Sequence, residues 1–169
     1  MSPCEQTTPT TESKKSAMLR KIFPHQVDNT YSGHKLGLYF FFVITLVTTG
    51  RSCVHIFAAD GGAQSVATIP LDTYSQGGAE AVIFIFAQWG IAQLMVGFIY
   101  LLVAWRYRRL IPLMYVFLFF EWSSRIALGF FKSIETAGVA PAAIAQLVLV
   151  LLIPVMFFLS TRQANVDHS

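Results

Sequence analysis

Glu121 and Arg125 lie one helical turn apart in the otherwise apolar stretch FEWSSRIALGF, residues 120–130. A spacing of four residues places both side chains on one face of a helix, where a carboxylate and a guanidinium can pair. An ionisable group at membrane depth is costly in lipid, so it needs a partner, water or a ligand. Two kinds of chemistry follow from this pair: a structural ion pair that fixes helix register, or a site that binds something.

Three further polar side chains fall inside other apolar segments: Arg51, His55 and Gln93. A helix rises 1.5 Å per residue, so Arg51 is expected roughly 22 Å, and Glu121 roughly 16 Å, from the inner ends of their segments. We therefore expect these residues to share one layer with Glu121 and Arg125, between the middle of the bilayer and its outer surface. Arg51 becomes a second candidate cation for Glu121. Gln93, with Gly90 and Gly97, is expected to face a neighbouring helix.

Motifs of catalysis or cofactor binding are missing from the sequence. There is no Gly-rich phosphate loop, nucleophile elbow, CxxC or HExxH pattern. His55 has Asp60 and Glu80 nearby in sequence, but no spacing typical of metal ligands. We therefore expect no catalytic residue, metal or cofactor, and favour a protein that is not an enzyme.

Composition assigns these polar residues to membrane-spanning helices. Hydrophobic residues make up 54% of the 169-residue chain and charged residues only 12%, about half the share usual in soluble domains. Four segments have the roughly 20 apolar residues needed to cross a bilayer: about 36–57, 79–104, 110–131 and 140–160. The predicted fold is an all-α integral membrane four-helix bundle.

The basic residues predict the orientation of this bundle. Lys and Arg are concentrated before the first segment and in WRYRR, residues 105–109, whereas the loop 58–78 contains neither. By the positive-inside rule, both termini lie in the cytoplasm and the protein resides in the inner (cytoplasmic) membrane. The net charge of +3 is explained by these flanking residues, so no nucleic-acid partner is expected.

Three regions follow from the distribution of polar residues. Residues 1–30 are predicted to be a disordered cytoplasmic tail, in which SAMLRKIF, residues 16–23, could form a short surface helix. Residues 31–162 form the transmembrane domain, and residues 163–169 form a short cytoplasmic tail. The loop 58–78 is interpreted either as a lid or as a surface loop that dips Ile69, Pro70 and Leu71 into the headgroup region.

The segments LIPLMYVFLFFEWSSRIALGFFKSIET, residues 110–136, and DGGAQSVATIPLDTY, residues 60–74, support a resemblance. Over roughly residues 30–160 the chain resembles small bacterial four-helix membrane proteins of unknown function. In size and helix count it is also similar to the DoxX-like membrane proteins. The resemblance implies a bacterial membrane protein and assigns no activity to any residue.

Two functions remain open, with a membrane redox enzyme as a third and weaker alternative. The first is a structural or accessory role, with the lipid bilayer, a second copy of the chain or a larger membrane complex as partner. The second is binding or transport of a small anion or a quinone-like headgroup in an outward-facing cavity. The candidate residues for that cavity are Arg51, His55, Gln93, Glu121 and Arg125. A closed core would favour the first function, and an open cavity the second.

Overall fold

The computed structural model describes residues 11–162, and every regular element within that range is helical. The helices are α1 (Thr11–Ile22), α2 (Lys35–Phe57), α3 (Gln76–Arg106), α4 (Ile111–Phe131) and α5 (Pro141–Thr161). The last four are long and apolar enough to cross a membrane. This confirms the predicted all-α fold with four helices long and apolar enough to span a membrane, which we call the spanning helices.

Local capping explains where the helices begin. The side chain of His34 accepts a hydrogen bond from Leu36 N at the start of α2, and Ser75 Oγ accepts one from Gly78 N at the start of α3. Both residues satisfy backbone donors that have no partner in the first helical turn. Because Ser75 supplies this cap, α3 begins at Gln76 rather than at residue 79.

The four spanning helices pack in a ring with one loose seam. The contacts of α2 with α3 are the most extensive, followed by those of α4 with α5 and of α2 with α5, whereas α3 and α4 touch only sparsely. An apolar core fills the ring on the side of the chain termini. It comprises Phe41 and Ile44 of α2, Tyr100 and Val103 of α3, Ile111, Met114, Tyr115, Leu118 and Trp122 of α4, and Ile153 of α5.

The helix α1 lies at the end of the bundle formed by residues 23–34, 107–110 and 162, which we call the termini end. Here the structure differs from the predicted disordered tail, since residues 11–22 are helical. The Nζ of Lys21 donates to Thr161 O at 2.6 Å, and α1 contacts α4 and α5. Tertiary contact therefore supports a helix that composition alone did not predict at this length. Residues 1–10 and 163–169 of the predicted tails lie outside the described residues.

Residues 58–75 and 132–140 form the opposite end of the bundle, the loop end. Ile69 and Leu71 are only 5% and 7% exposed and pack on the first turns of α3. They therefore do not dip into the headgroup region, as one interpretation of the loop expected. Thr68 O accepts from Ala137 N at 2.9 Å, and Thr68 Oγ1 donates to Gly138 O at 3.2 Å. The two connections thus join across the end of the bundle.

Candidate functional site

Arg51 projects from α2 onto two tryptophan rings contributed by the neighbouring helices. Its Cζ lies 5.5 Å from the ring centroid of Trp89 on α3 and 5.1 Å from that of Trp122 on α4. Both distances are within the range of cation–π attraction. Arg51 is positioned there because its face of α2 is buried: Thr48, Ser52 and His55 are each at most 4% exposed.

Arg125 of α4 lies over the same two rings. Its Cζ is 4.6 Å from the ring centroid of Trp89 and 5.2 Å from that of Trp122. Its Nη2 donates to Glu121 Oε1 at 2.5 Å, one helical turn earlier, as the spacing predicted. The structure therefore brings two guanidinium groups and one carboxylate around a pair of indole rings.

Glu121 does not use the second cation that the sequence offered. Gln93 Nε2 donates to Glu121 Oε1 at a long 3.5 Å. Within residues 11–162, Arg125 is the sole ion-pair partner of Glu121. Arg51 is instead directed to the indole rings, so the expected Arg51–Glu121 ion pair is not formed.

His55 links this group to the loop end. Its side chain is 3% exposed, and its Nδ1 lies 2.8 Å from Gly61 O, so Nδ1–H must donate to that carbonyl. Its ring centroid is 4.6 Å from that of Trp89. Across residues 11–162, no group of three His, Cys, Asp or Glu side chains is placed to hold a metal ion. His55 therefore acts here as a contact between the loop and Trp89.

The five predicted residues thus come together with two tryptophans. We call this set the polar layer: Arg51, His55, Trp89, Gln93, Glu121, Trp122 and Arg125. Gln93 is 4% exposed, and its neighbours Gly90 and Gly97 face α2, as their common stripe predicted. Gln88, on the other side of α3, is exposed.

Several buried polar atoms of this region have no hydrogen-bond partner within the described part of the chain. They are Arg51 Nε and Nη2, His55 Nε2, Gln93 Oε1, Trp122 Nε1 and Ser123 Oγ. Most buried polar atoms in proteins are paired, and leaving one unpaired costs about 1–3 kcal/mol, more for a charged group. The nitrogens of Arg51 and Trp122 can only donate. His55 Nε2 and Gln93 Oε1 can only accept, because His55 Nδ1–H donates to Gly61 O, so donors and acceptors are both left unpaired; the unpaired donors that also carry charge are those of Arg51.

Two grooves reach the polar layer along the loose side of the ring. The first has a volume of about 450 Å³ and is lined by Ile85, Phe86, Trp89, Arg125, Leu128 and Gln146; we call it the flank groove. The second has about 300 Å³ and is lined by Val96, Ile99, Tyr100, Met114, Phe117 and Glu121. Both volumes are in or near the range of about 300–1,000 Å³ typical of ligand sites. Trp89 and Arg125 thus line the flank groove and Glu121 lines the second, whereas Arg51, His55 and Gln93 line neither.

Sequence reasoning missed Trp89 and Trp122. Trp122 directly follows Glu121, and Trp89 directly precedes Gly90, which packs on His55. Aromatic rings near arginines in apolar segments are a usable signal, because an indole face can hold a guanidinium where water is absent.

Comparisons with known proteins give no further assignment: no family model, curated protein or solved structure matches the chain.

Proposed function

We propose that the protein is a multi-pass inner-membrane protein, with both termini in the cytoplasm, that binds a ligand with an anionic headgroup at the polar layer. The observation that carries this proposal is Arg51. Its Nε and Nη2 are buried, and neither has an acceptor among residues 11–162. An anionic headgroup would supply acceptors and charge together.

The charges of the polar layer support an anion. The layer contains two guanidinium groups, those of Arg51 and Arg125, and one carboxylate, that of Glu121. One positive charge is therefore uncompensated within the layer, and charge is far more costly in a low-dielectric region than in water. A carboxylate or phosphate that binds there neutralises it and pairs with the free donors.

Basic residues support the proposed orientation. Arg106, Arg108, Arg109 and Arg162 lie at the termini end, whereas residues 58–75 and 132–140 contain Lys132 as their single Lys or Arg. The positive-inside rule assigns the termini end to the cytoplasm. An Asp72→Cys substitution in a Cys4→Ser, Cys53→Ser background tests this, because a membrane-impermeant maleimide should label it in intact cells. Labelling only after lysis would reverse the orientation.

The tryptophans give the binding proposal a direct readout. A Trp105→Phe variant retains only Trp89 and Trp122, both in the polar layer, since Trp105 is 75% exposed near the termini end. Butyrate or butyl phosphate, added to this variant in detergent, should change the fluorescence emission saturably. Butanol, which has the same chain and no charge, should not.

An Arg51→Met substitution in the same Trp105→Phe background should abolish the response to both anions. Arg106→Met, at the termini end, is the matched control and should leave the response unchanged. Equal responses to butyrate and butanol, or an unchanged response in Arg51→Met, would reject the proposed function.

A second candidate, a purely structural role, is favoured by the Arg125–Glu121 ion pair, which is formed within α4 itself. In that case the layer fixes the register of α4 against α3 through Gln93. This role explains Glu121 and Arg125 but leaves the unpaired donors of Arg51 without a purpose. The two candidates therefore differ at Arg51.

A further inference from the structure

The flank groove connects the polar layer with the side of the bundle that faces lipid. Trp89 and Arg125 line it together with Ile85 and Leu128, and the latter two are 61% and 55% exposed. Exposed apolar side chains on a spanning helix are in contact with acyl chains in a bilayer. A ligand can thus reach Arg125 sideways, between α3, α4 and α5.

The route from water at the loop end is covered by protein. His55 Nδ1–H donates to Gly61 O at 2.8 Å, and Ala63, which is fully buried, packs with Ile69 and Leu71 on α3. Thr68 also bonds to residues 137 and 138 across the same end. The cavity expected to open outward beneath this loop is therefore closed there, and the opening lies on the flank.

Charge distinguishes the two grooves. The flank groove is lined by Arg125 and by Gln146, whose amide can donate or accept, whereas Glu121 is the one ionisable residue that lines the second groove. In Arg125, Nη2 is the one nitrogen that has a partner within the described residues. The other N–H groups of its guanidinium remain available. An anion is therefore attracted to the flank groove and repelled from the second.

We infer that the ligand is a single-chain amphiphile with an anionic headgroup, a carboxylate or a phosphate, that enters laterally from the bilayer through the flank groove. This inference rests on the proposed function, and it adds the class of ligand and its route. The headgroup lies beside Gln146 and between the guanidinium groups of Arg125 and Arg51, both of which lie over the Trp89 ring of the groove. The chain follows Ile85 and Leu128 outward and stays among lipid tails, so its length is not limited by the groove volume.

Brominated lipids test this inference, because bromine quenches tryptophan fluorescence at contact. Trp105→Phe protein in phosphatidylcholine nanodiscs is titrated with 6,7-dibromostearate, whose bromines lie near its headgroup, or with the same amount of 6,7-dibromo-phosphatidylcholine. Dibromostearate should quench saturably, and at least tenfold more strongly per bromine, because its headgroup binds beside Trp89. Unbrominated lysophosphatidic acid is then added as competitor. Relief of quenching extends the class to phosphates, and no relief restricts it to carboxylates; either result supports the inference.

Filling the groove gives a second measurement. Ile85→Phe with Leu128→Phe should raise the dibromostearate concentration needed for half-maximal quenching about tenfold. Leu46→Phe with Leu151→Phe changes two exposed side chains outside the groove and should leave quenching unchanged. The thermal unfolding midpoint and the helical circular dichroism of the groove variant in detergent should match those of the Leu46→Phe, Leu151→Phe control, which shows that the groove variant is folded.

The experiments separate anion binding at the polar layer from lateral entry of an amphiphile. If butyrate acts but dibromostearate quenches no more than dibromo-phosphatidylcholine, the lateral amphiphile is rejected and the anion site stands. If dibromostearate quenches the groove variant as strongly as the parent, lateral entry through the flank groove is rejected. If neither butyrate nor dibromostearate acts, both proposals are rejected.

Discussion

The apolar core and the polar layer are built on the same helices, α2, α3 and α4, but differ in how buried polar atoms are treated. In the core, the hydroxyl of Tyr115 donates to Gly37 O across the bundle, and Phe41 packs edge-on against Tyr100 and Tyr115. In and beside the polar layer, six buried side-chain atoms have no partner within residues 11–162. The core therefore holds the bundle together, whereas the layer leaves the charged donors of Arg51 without an acceptor among residues 11–162.

Removing Arg125 should produce the largest effect on the polar layer. Arg125→Met leaves Glu121 without its cation. The two side chains are 19% and 28% exposed, so the loss should fall at or just below the value of about 3–5 kcal/mol expected for a fully buried ion pair. Adding Glu121→Met should restore most of the lost stability, because no unpaired charge then remains. Thermal unfolding in detergent measures both, with Arg106→Met as the surface control. A double variant no more stable than Arg125→Met would contradict the pairing.

Widening the contact between α2 and α3 beside the polar layer should destabilise the protein less than Arg125→Met does. A Cβ added at Gly90 would lie 2.7 Å from His55 Cβ and 3.1 Å from Ser52 O. Gly90→Ala should therefore lower the free energy of unfolding by about 1–3 kcal/mol through overpacking. Gly50→Ala is the matched control on α2, since no atom lies within 4 Å of its added Cβ. Equal stability of the two variants would argue against the close packing at Gly90.

A change in the apolar core should affect stability without affecting binding. Tyr115→Phe removes the donor to Gly37 O and keeps the ring, so about 1 kcal/mol of stability should be lost. Tyr39→Phe, at a 60% exposed position, is the control. The fluorescence response to butyrate should be the same in both variants and in the parent. A lost response in Tyr115→Phe would show that the two regions are not separate.

The smallest expected effect on stability is local and comes from protonation of Asp60 at the loop end. Burial would raise the pKa of Asp60, but hydrogen bonds from the amides of Ser65 and Gly62 outweigh it and lower the pKa to about 2. The pKa of Asp60 in the folded protein thus lies below its unfolded value of about 3.9. The hydrogen bonds of the Asp60 carboxylate therefore stabilise the turn fully at pH values above about 3.9. This stabilisation is lost as the pH falls toward 2.

Hydrogen exchange of the Gly62 and Ser65 amides, measured from neutral to acidic pH, should show this local opening. Asp60→Asn should weaken protection at neutral pH and flatten its pH dependence. Protection that stays constant through the acidic range in the parent would contradict the role of Asp60.

The sequence predicted the framework better than the site. Apolar segments of about 20 residues are a strong signal because a bilayer fixes their length, and the predicted helices lie within a few residues of α2 to α5. The one-turn spacing likewise predicted the Arg125–Glu121 pair. By contrast, the packing of Ile69 and Leu71 on α3 depends on the path of a loop, which periodicity does not encode.

The rotation of each helix about its own axis could not be predicted from the sequence either. Arg51 could face Glu121 or an aromatic ring at the same depth, and the choice depends on how α3 and α4 separate. The contact between α3 and α4 is sparse, and Trp89 and Trp122 lie beside Arg51. The sequence therefore indicated which residues share a layer but not which of them are in contact.

We propose that Arg51 is retained for a ligand rather than for stability. The most direct test is the thermal unfolding midpoint of wild-type protein and of Arg51→Met, each with and without butyl phosphate. We predict that the midpoint of unliganded Arg51→Met is equal to or higher than that of the wild type, because a charge without an acceptor is removed. Butyl phosphate should raise only the wild-type midpoint. A lower midpoint for unliganded Arg51→Met, together with an undiminished increase on adding butyl phosphate, would contradict the account.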